Sequence, residues 1–163
     1  ELVDVVAQLH NDGFPVKLLM VGGREEKLDA LSERTEQLIK DAEYIIECGR
    51  QSDVRSFIKA SKLLVLPSYR EGFGQVLVEA NSLGIPVIAS RIIGCQNVVN
   101  ERVNGLLCEP RDKVSLYNCM FSFFSDEKLY ESIKLGCRQY IISHFDRKMV
   151  TKAYIQYYAS LSQ

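Results

Sequence analysis

The sequence predicts an α/β domain, a parallel sheet flanked by helices with a helical C-terminal tail. Three observations carry that class. Short apolar runs of four to six residues recur through the first 108 positions, bounded by Gly, Pro, Asn or Asp. They lack the polar–apolar alternation of a strand with one wet face, so their sheet is expected to be covered on both faces. Helical patterns separate the runs, and strand–helix–strand units make neighbouring strands parallel.

The elements follow in order. Residues 1–12 place Leu2, Val5, Val6 and Leu9 on one helical stripe, ended by Asn11-Asp12-Gly13. Residues 16–21 (VKLLMV) form the first strand, followed by Gly22-Gly23 and a charged helix over 25–41. Residues 43–48 (EYIIEC) form the second strand, closed by Gly49, and Asp53 can cap a short helix running to Ala60. Residues 63–66 make a third strand, stopped by Pro67. A helix over 75–83 ends at Gly84, and strands follow at 85–89 and 105–108. Beyond Asp112 the pattern is all helical, over 113–124, 127–143 and 147–161. The last helix carries Met149, Val150, Tyr154, Tyr157 and Tyr158, and core packing is the expectation for that aromatic face.

Composition narrows function. With 163 residues the chain suits one domain, and its net charge of −1 excludes a broad electrostatic nucleic-acid binder. No run approaches the ~18 apolar residues of a spanning helix, and no secretory leader is visible. Five cysteines, none at C-x-x-C spacing, argue against a disulfide framework or a zinc knuckle and for small apolar thiols in a reducing cytosol. The two histidines, His10 and His144, fall in helices away from the glycine-rich loops, which leaves little material for a Ser-His or Cys-His nucleophile. The chain opens Glu1-Leu2-Val3-Asp4 without Met and inside a helix, so it reads as a piece of something longer.

Ligands of open parallel sheets bind beyond the carboxyl ends of the strands. That directs attention to the loops at 22–26, 49–53, 67–75 and 90–97. The third is the most informative: Pro67-Ser68-Tyr69-Arg70-Glu71-Gly72-Phe73-Gly74-Gln75, running into Val76-Leu77-Val78-Glu79-Ala80. Gly72 and Gly74 allow close approach of backbone to a ligand, and a helix start offers free N–H groups suited to a phosphate. Glu79 falls on a stripe with Val76, Ala80 and Leu83, where an ionised carboxylate needs a partner or an edge that reaches water. Glu71 and Glu79 could flank one ligand along its length, accepting hydrogen bonds from hydroxyls at each end.

Residues 68–80, with Gly84-Ile85-Pro86-Val87-Ile88-Ala89 and Asn104-Gly105-Leu106-Leu107, resemble the carboxy-terminal domain of family-4 retaining glycosyltransferases. The resemblance spans nearly the whole chain, and Tyr69-Arg70-Glu71-Gly72 is similar to the subgroup that builds bacterial capsular, exopolysaccharide and lipopolysaccharide chains. It implies a GT-B architecture of two Rossmann-like domains with the active site between them. Residues 1–163 would be the nucleotide-sugar-binding half, with the acceptor domain and the first strand of this half missing upstream. The resemblance assigns Glu79 to the ribose hydroxyls and Glu71 to the transferred sugar. Amides of Gly72, Phe73, Gly74 and Gln75 would meet sugar and diphosphate, Arg50 and Gln51 the base, and Gly22 would lie under the nucleotide. No metal or other cofactor is implied. An Arg/Lys pair expected to share the diphosphate charge falls upstream of Glu1, and neither Arg24 nor Arg70 stands in its place. Asn97 stands where many relatives carry an acid. The last helix and Phe121, Phe123 and Phe124 would serve as core or interdomain contacts. A cytoplasmic enzyme is implied, with peripheral association of the full-length protein at the inner membrane left open. Two other readings stand beside this one, a GT-B nucleotide-sugar epimerase and a non-catalytic nucleotide-binding or assembly module. A dinucleotide dehydrogenase is disfavoured, because Gly22-Gly23-Arg24 does not continue as G-x-G-x-x-G.

Overall fold

A computed structural model describes residues 1–23 and 31–161. The elements are α1 (Leu2–Asn11), β1 (Leu18–Val21), α2 (Glu33–Asp41), β2 (Ile45–Gly49), α3 (Arg55–Ala60), β3 (Leu64–Leu66) and α4 (Gln75–Ser82). Then come β4 (Val87–Ser90), α5 (Ile93–Gln96), β5 (Gly105–Cys108), α6 (Lys113–Ser125), α7 (Glu127–Phe145) and α8 (Arg147–Leu161). The expected elements are all present within a few residues. The single turn α5 is an addition, and the part of the expected 25–41 helix at 25–30, with Arg24, lies outside the described residues. Side-chain caps explain several helix starts. Ser32 accepts from the Thr35 amide, Asp112 from the amides of Val114 and Ser115, and Asp126 from that of Leu129. Asp53 accepts from the Arg55 amide at 2.9 Å, as its place before α3 suggests.

All strand pairs are parallel. β1 pairs with β2 (Leu18 opposite Ile45), and β3, β4 and β5 form a second sheet (Leu64 opposite Val87, Val87 opposite Gly105). Among the described residues no strand joins β1 to β3, so the expected sheet stands as two pieces. Burial follows pairing. β4 and β5 are buried along their whole length, whereas every residue of β3 and most of β1 are only half-buried.

The three-stranded sheet is covered on both faces, as the unalternating runs predict. Ile88 and Leu106 face a core with Val5, Leu9, Leu116 and Phe123 of α1 and α6. Val87, Ala89 and Leu107 face the opposite core with Ile58, Leu77 and Ala80 of α3 and α4. α7 crosses the end of the sheet, giving Ile133 and Cys137 to the first core and Ile141 to the second. Each fully buried Leu or Ile contributes about 1.5–3 kcal/mol of transfer free energy.

Two groups of side chains expected in apolar packing are placed differently. α8 has no buried residue, and Tyr154, Tyr157 and Tyr158 are at least 60% exposed, so the aromatic face is not core packing. α7 runs into α8 through the corner at Asp146. Phe123 is core and Phe124 half-buried, but Phe121 is 40% exposed and lies on the surface against Tyr117 and Phe14.

One polar network is buried. The Asn81 amide donates to the carbonyls of Ile85 (2.9 Å) and Asn104 (3.0 Å). Asn104 donates to Asn81 Oδ1 (2.7 Å) and the Val98 carbonyl (3.0 Å), and its Oδ1 accepts from the Asn100 amide. This network ties the end of α4 to the turn before β5.

Candidate functional site

Four strand ends carry the candidate residues. Leu66 closes β3 and the chain turns through 67–74 into α4. Gly74 caps that helix in the left-handed region (φ 62°, ψ 46°), so its backbone conformation favours glycine there. α4 has no side-chain cap and no acidic residue in its first turn. The Leu77 amide donates to the Gly74 carbonyl at 2.9 Å, and the positive end of the helix ahead of it suits an anion from outside. Phe73 and Gln75 are exposed beside it, and the Phe73 ring lies edge-on to Phe145 at 5.7 Å.

The buried face of α4 is Leu77, Ala80 and Asn81 rather than the stripe of Val76, Ala80 and Leu83. Asn81 can turn inward because its amide is fully bonded, and Leu83 is the exposed C-cap. Glu79 is consequently half-buried at the edge of the buried face and not within it. Glu71 is half-buried too. Neither carboxylate makes a hydrogen bond or ion pair with another described residue. Gln75 to Glu79 spans about 6 Å of helix at 1.5 Å per residue. Along the chain the uncapped start of α4 therefore lies between two carboxylates that bond to no other described residue.

Glu71 and Gly72 line a cleft of about 530 Å³, with Arg70 on the same wall and Arg91, Ile93 and Gly94 opposite. Sequence reasoning marked the loop at 90–97 but gave Arg91, Ile93 and Gly94 no role. Its signal was Ile92-Ile93-Gly94 placed directly after a strand end. Arg91 is engaged by Glu101 (3.0 Å) and Glu109 (2.8 Å), which makes it a brace of the cleft wall. The Arg111 guanidinium covers the Tyr69 ring at 4.9 Å. Cys95 lies fully buried beneath, its thiol pushed up to about 11 by burial first and the Glu71 charge second. It is a poor nucleophile there. Asn97 is exposed next to it.

Gly22, Arg50 and Gln51 lie at the ends of the other sheet. The Gly22 amide donates to the Gly49 carbonyl at 2.9 Å, which joins these two loops. The Gln51 side chain folds back to donate to the Cys48 carbonyl at 2.6 Å, and Arg50 is exposed. The structure brings Glu71 and Gly72 into one cleft and Gly22 together with the 49–51 loop. It does not bring the second group, or Phe73, Gly74, Gln75 and Glu79, to the cleft's walls. The histidines are not both remote. His144 stacks on Tyr140 and neighbours Phe145, which touches Phe73 of the glycine-rich loop. Among the described residues no three His, Cys, Asp or Glu side chains gather where a metal could sit, and no helix is long and apolar enough to cross a membrane.

The family model described as glycosyl transferases group 1 matches residues 1–139. The chain is 29% identical over 141 residues to the N-acetyl-alpha-D-glucosaminyl L-malate synthase of Bacillus anthracis, covering 85% of this chain and 36% of that protein. It is 27% identical over 150 residues to the capsular polysaccharide biosynthesis glycosyltransferase CapM of Staphylococcus aureus, covering 92% and 39%. In fold it is similar to Anabaena Alr3699/HepE crystallised with UDP and glucose, at TM-score 0.85 and 24% identity, covering 98% of this chain and 44% of that one. The chain thus spans well under half the length of each.

Proposed function

Because this chain belongs to the glycosyl transferases group 1 family, we propose that it is the donor-binding domain of a retaining glycosyltransferase. It holds a nucleoside-diphosphate sugar, and the whole protein passes the sugar to a polysaccharide or lipid-linked acceptor. One observation carries the reading: an uncapped helix start lies between two glutamates that bond to no other side chain among the described residues. A nucleotide sugar has the matching order of hydroxyls, diphosphate and hydroxyls. The Anabaena complex with UDP and the capsular relative support the same class.

Each residue has a task. Glu79 accepts from the ribose hydroxyls. Glu71 accepts from the transferred sugar, seated in the cleft it lines. The diphosphate faces the start of α4, with the amides of Gly72, Phe73, Gly74 and Gln75 nearby. As the bond from the anomeric carbon to the diphosphate breaks, negative charge grows on the leaving phosphate, and oriented N–H groups stabilise it without reorganising. Gly22 supports the nucleotide, and Arg50 and Gln51 line its base. No protein nucleophile and no resident cofactor is invoked. This chain alone binds donor and transfers nothing.

The test is calorimetric titration of the intact protein with UDP, GDP and their hexose derivatives. One nucleotide series is expected to bind. Glu79→Ala should weaken the nucleotide itself about tenfold or more, since hydrogen bonds to a charged group contribute ~1.5–3 kcal/mol. Glu71→Ala should leave nucleotide affinity alone and slow sugar transfer. Binding of none of these ligands by the intact protein would refute the reading in favour of a non-catalytic module.

A further inference from the structure

We infer that Gly94 is a positioning residue for Glu71: the α5 turn is the surface against which the Glu71 backbone rests, and it sets where that carboxylate stands in the cleft. The inference rests on the donor-binding reading above and adds a residue to it.

The contact is close. A Cβ built on Gly94 would lie 2.1 Å from the Glu71 carbonyl oxygen, 2.7 Å from its carbonyl carbon and 3.1 Å from its Cβ. No side chain fits there. The reason is space and not backbone conformation, because Gly94 sits in a helical turn and is not among the positive-φ residues. Gly74, whose φ itself demands glycine, is the contrasting case. The Gly94 carbonyl also lies 3.6 Å from where a Cβ on Gly74 would stand. The same turn therefore abuts the loop at its middle, Glu71, and at its end, Gly74.

The turn is the stiffer partner. Ile92 donates to the Ser90 carbonyl at 2.8 Å, Cys95 to that of Ile92 at 3.0 Å, and Val99 to that of Cys95 at 2.8 Å. Cys95, Val98 and Val99 are buried in the core below it. Glu71, by contrast, stands in a loop of bends, and its side chain bonds to no other described residue. If an atom is added between them, the Glu71 side is the one that yields. Clearing a 2.1 Å contact moves that backbone by about 1 Å, and a misplacement of that size in a reacting geometry costs up to ~10²-fold. The charge of Glu71 is felt at the Cys95 thiol, which agrees with the carboxyl lying over this turn.

Gly94→Ala, Glu71→Ala and the double variant test this in the intact protein. The ligands are UDP and GDP, and the hexose derivative of either that titrates most tightly, whose slow hydrolysis gives a rate. Gly94→Ala is expected to lower the rate at saturating donor roughly tenfold or more, with a clearly smaller loss of nucleoside-diphosphate affinity through the Gly72 amide that shares the displaced peptide. In the Glu71→Ala background it should add nothing to the loss of rate, because the group it displaces is gone. Equal losses in nucleotide affinity, rate and melting temperature, or rate losses that add in the double variant, would overturn the positioning role. So would a Gly94→Ala protein that works like wild type. If Gly94→Ala does not fold, Ile92→Gly loosens the same turn without adding an atom and must show the same split. A wild-type protein that binds no nucleotide removes the donor-binding reading itself, whereas one that binds normally with an indifferent Gly94 removes only this inference.

Discussion

Glu79 shows how a single side chain can be placed by its neighbours. Helical spacing put it on an apolar stripe, yet Asn81 takes the inward position and Glu79 moves to the edge. Charge also acts locally at Asp4, which pairs with Lys113 and so links α1 to α6. The Lys113 hydrogen bond holds the Asp4 carboxyl below its ordinary value of 3.8. The folded pKa is the lower one, so this stabilisation is complete above the unfolded value and disappears as pH falls through the folded value. Lys113→Ala should therefore lower the melting temperature at pH 7 but leave it unchanged at pH 2. A destabilisation of equal size at both pH values would show that Lys113 acts through packing.

At the scale of elements, the Asn81–Asn104 pair holds α4 against the turn before β5. Every polar atom of the pair that is buried has a partner. The pair is isolated from water, so removing one member strands the other. Asn104→Ala should cost about 2–3 kcal/mol through unsatisfied buried groups, read as a lower urea midpoint with unchanged slope. A loss below ~0.5 kcal/mol, the usual scale of a surface change, would mean that water replaces the lost partner. Neither Asn81 nor Asn104 was marked by periodicity, because a buried polar residue looks like a surface one until its partner is known. The α5 turn escaped for a related reason. Four residues carry too little pattern, and its place over Glu71 arises from packing.

For the whole molecule, pairing sets the stability gradient. β4 is hydrogen-bonded on both sides and buried, while β1 pairs only with β2 among the described residues. The Ile88 and Ala89 amides should exchange with solvent only on global unfolding, and those of Leu19 and Ile46 at lower opening free energy. Native-state hydrogen exchange checks this. Equal protection of both sheets would mean that they open as one unit. α8 lies at the other extreme, an exposed helix with no buried residue.

Local pattern was enough to reveal the strands and helices, the parallel class and the glycine-rich turn that carries Glu71. Each depends on a few adjacent residues, on burial period, turn chemistry or caps. Three other things depended on segments far apart in the chain: the split between the two sheets, the exposure of the α8 face, and the seating of Glu71 on Gly94. Spacing along a helix names a face but not what covers it. A glycine's sequence shows that a side chain is missing, and only the neighbour at 2.1 Å shows why.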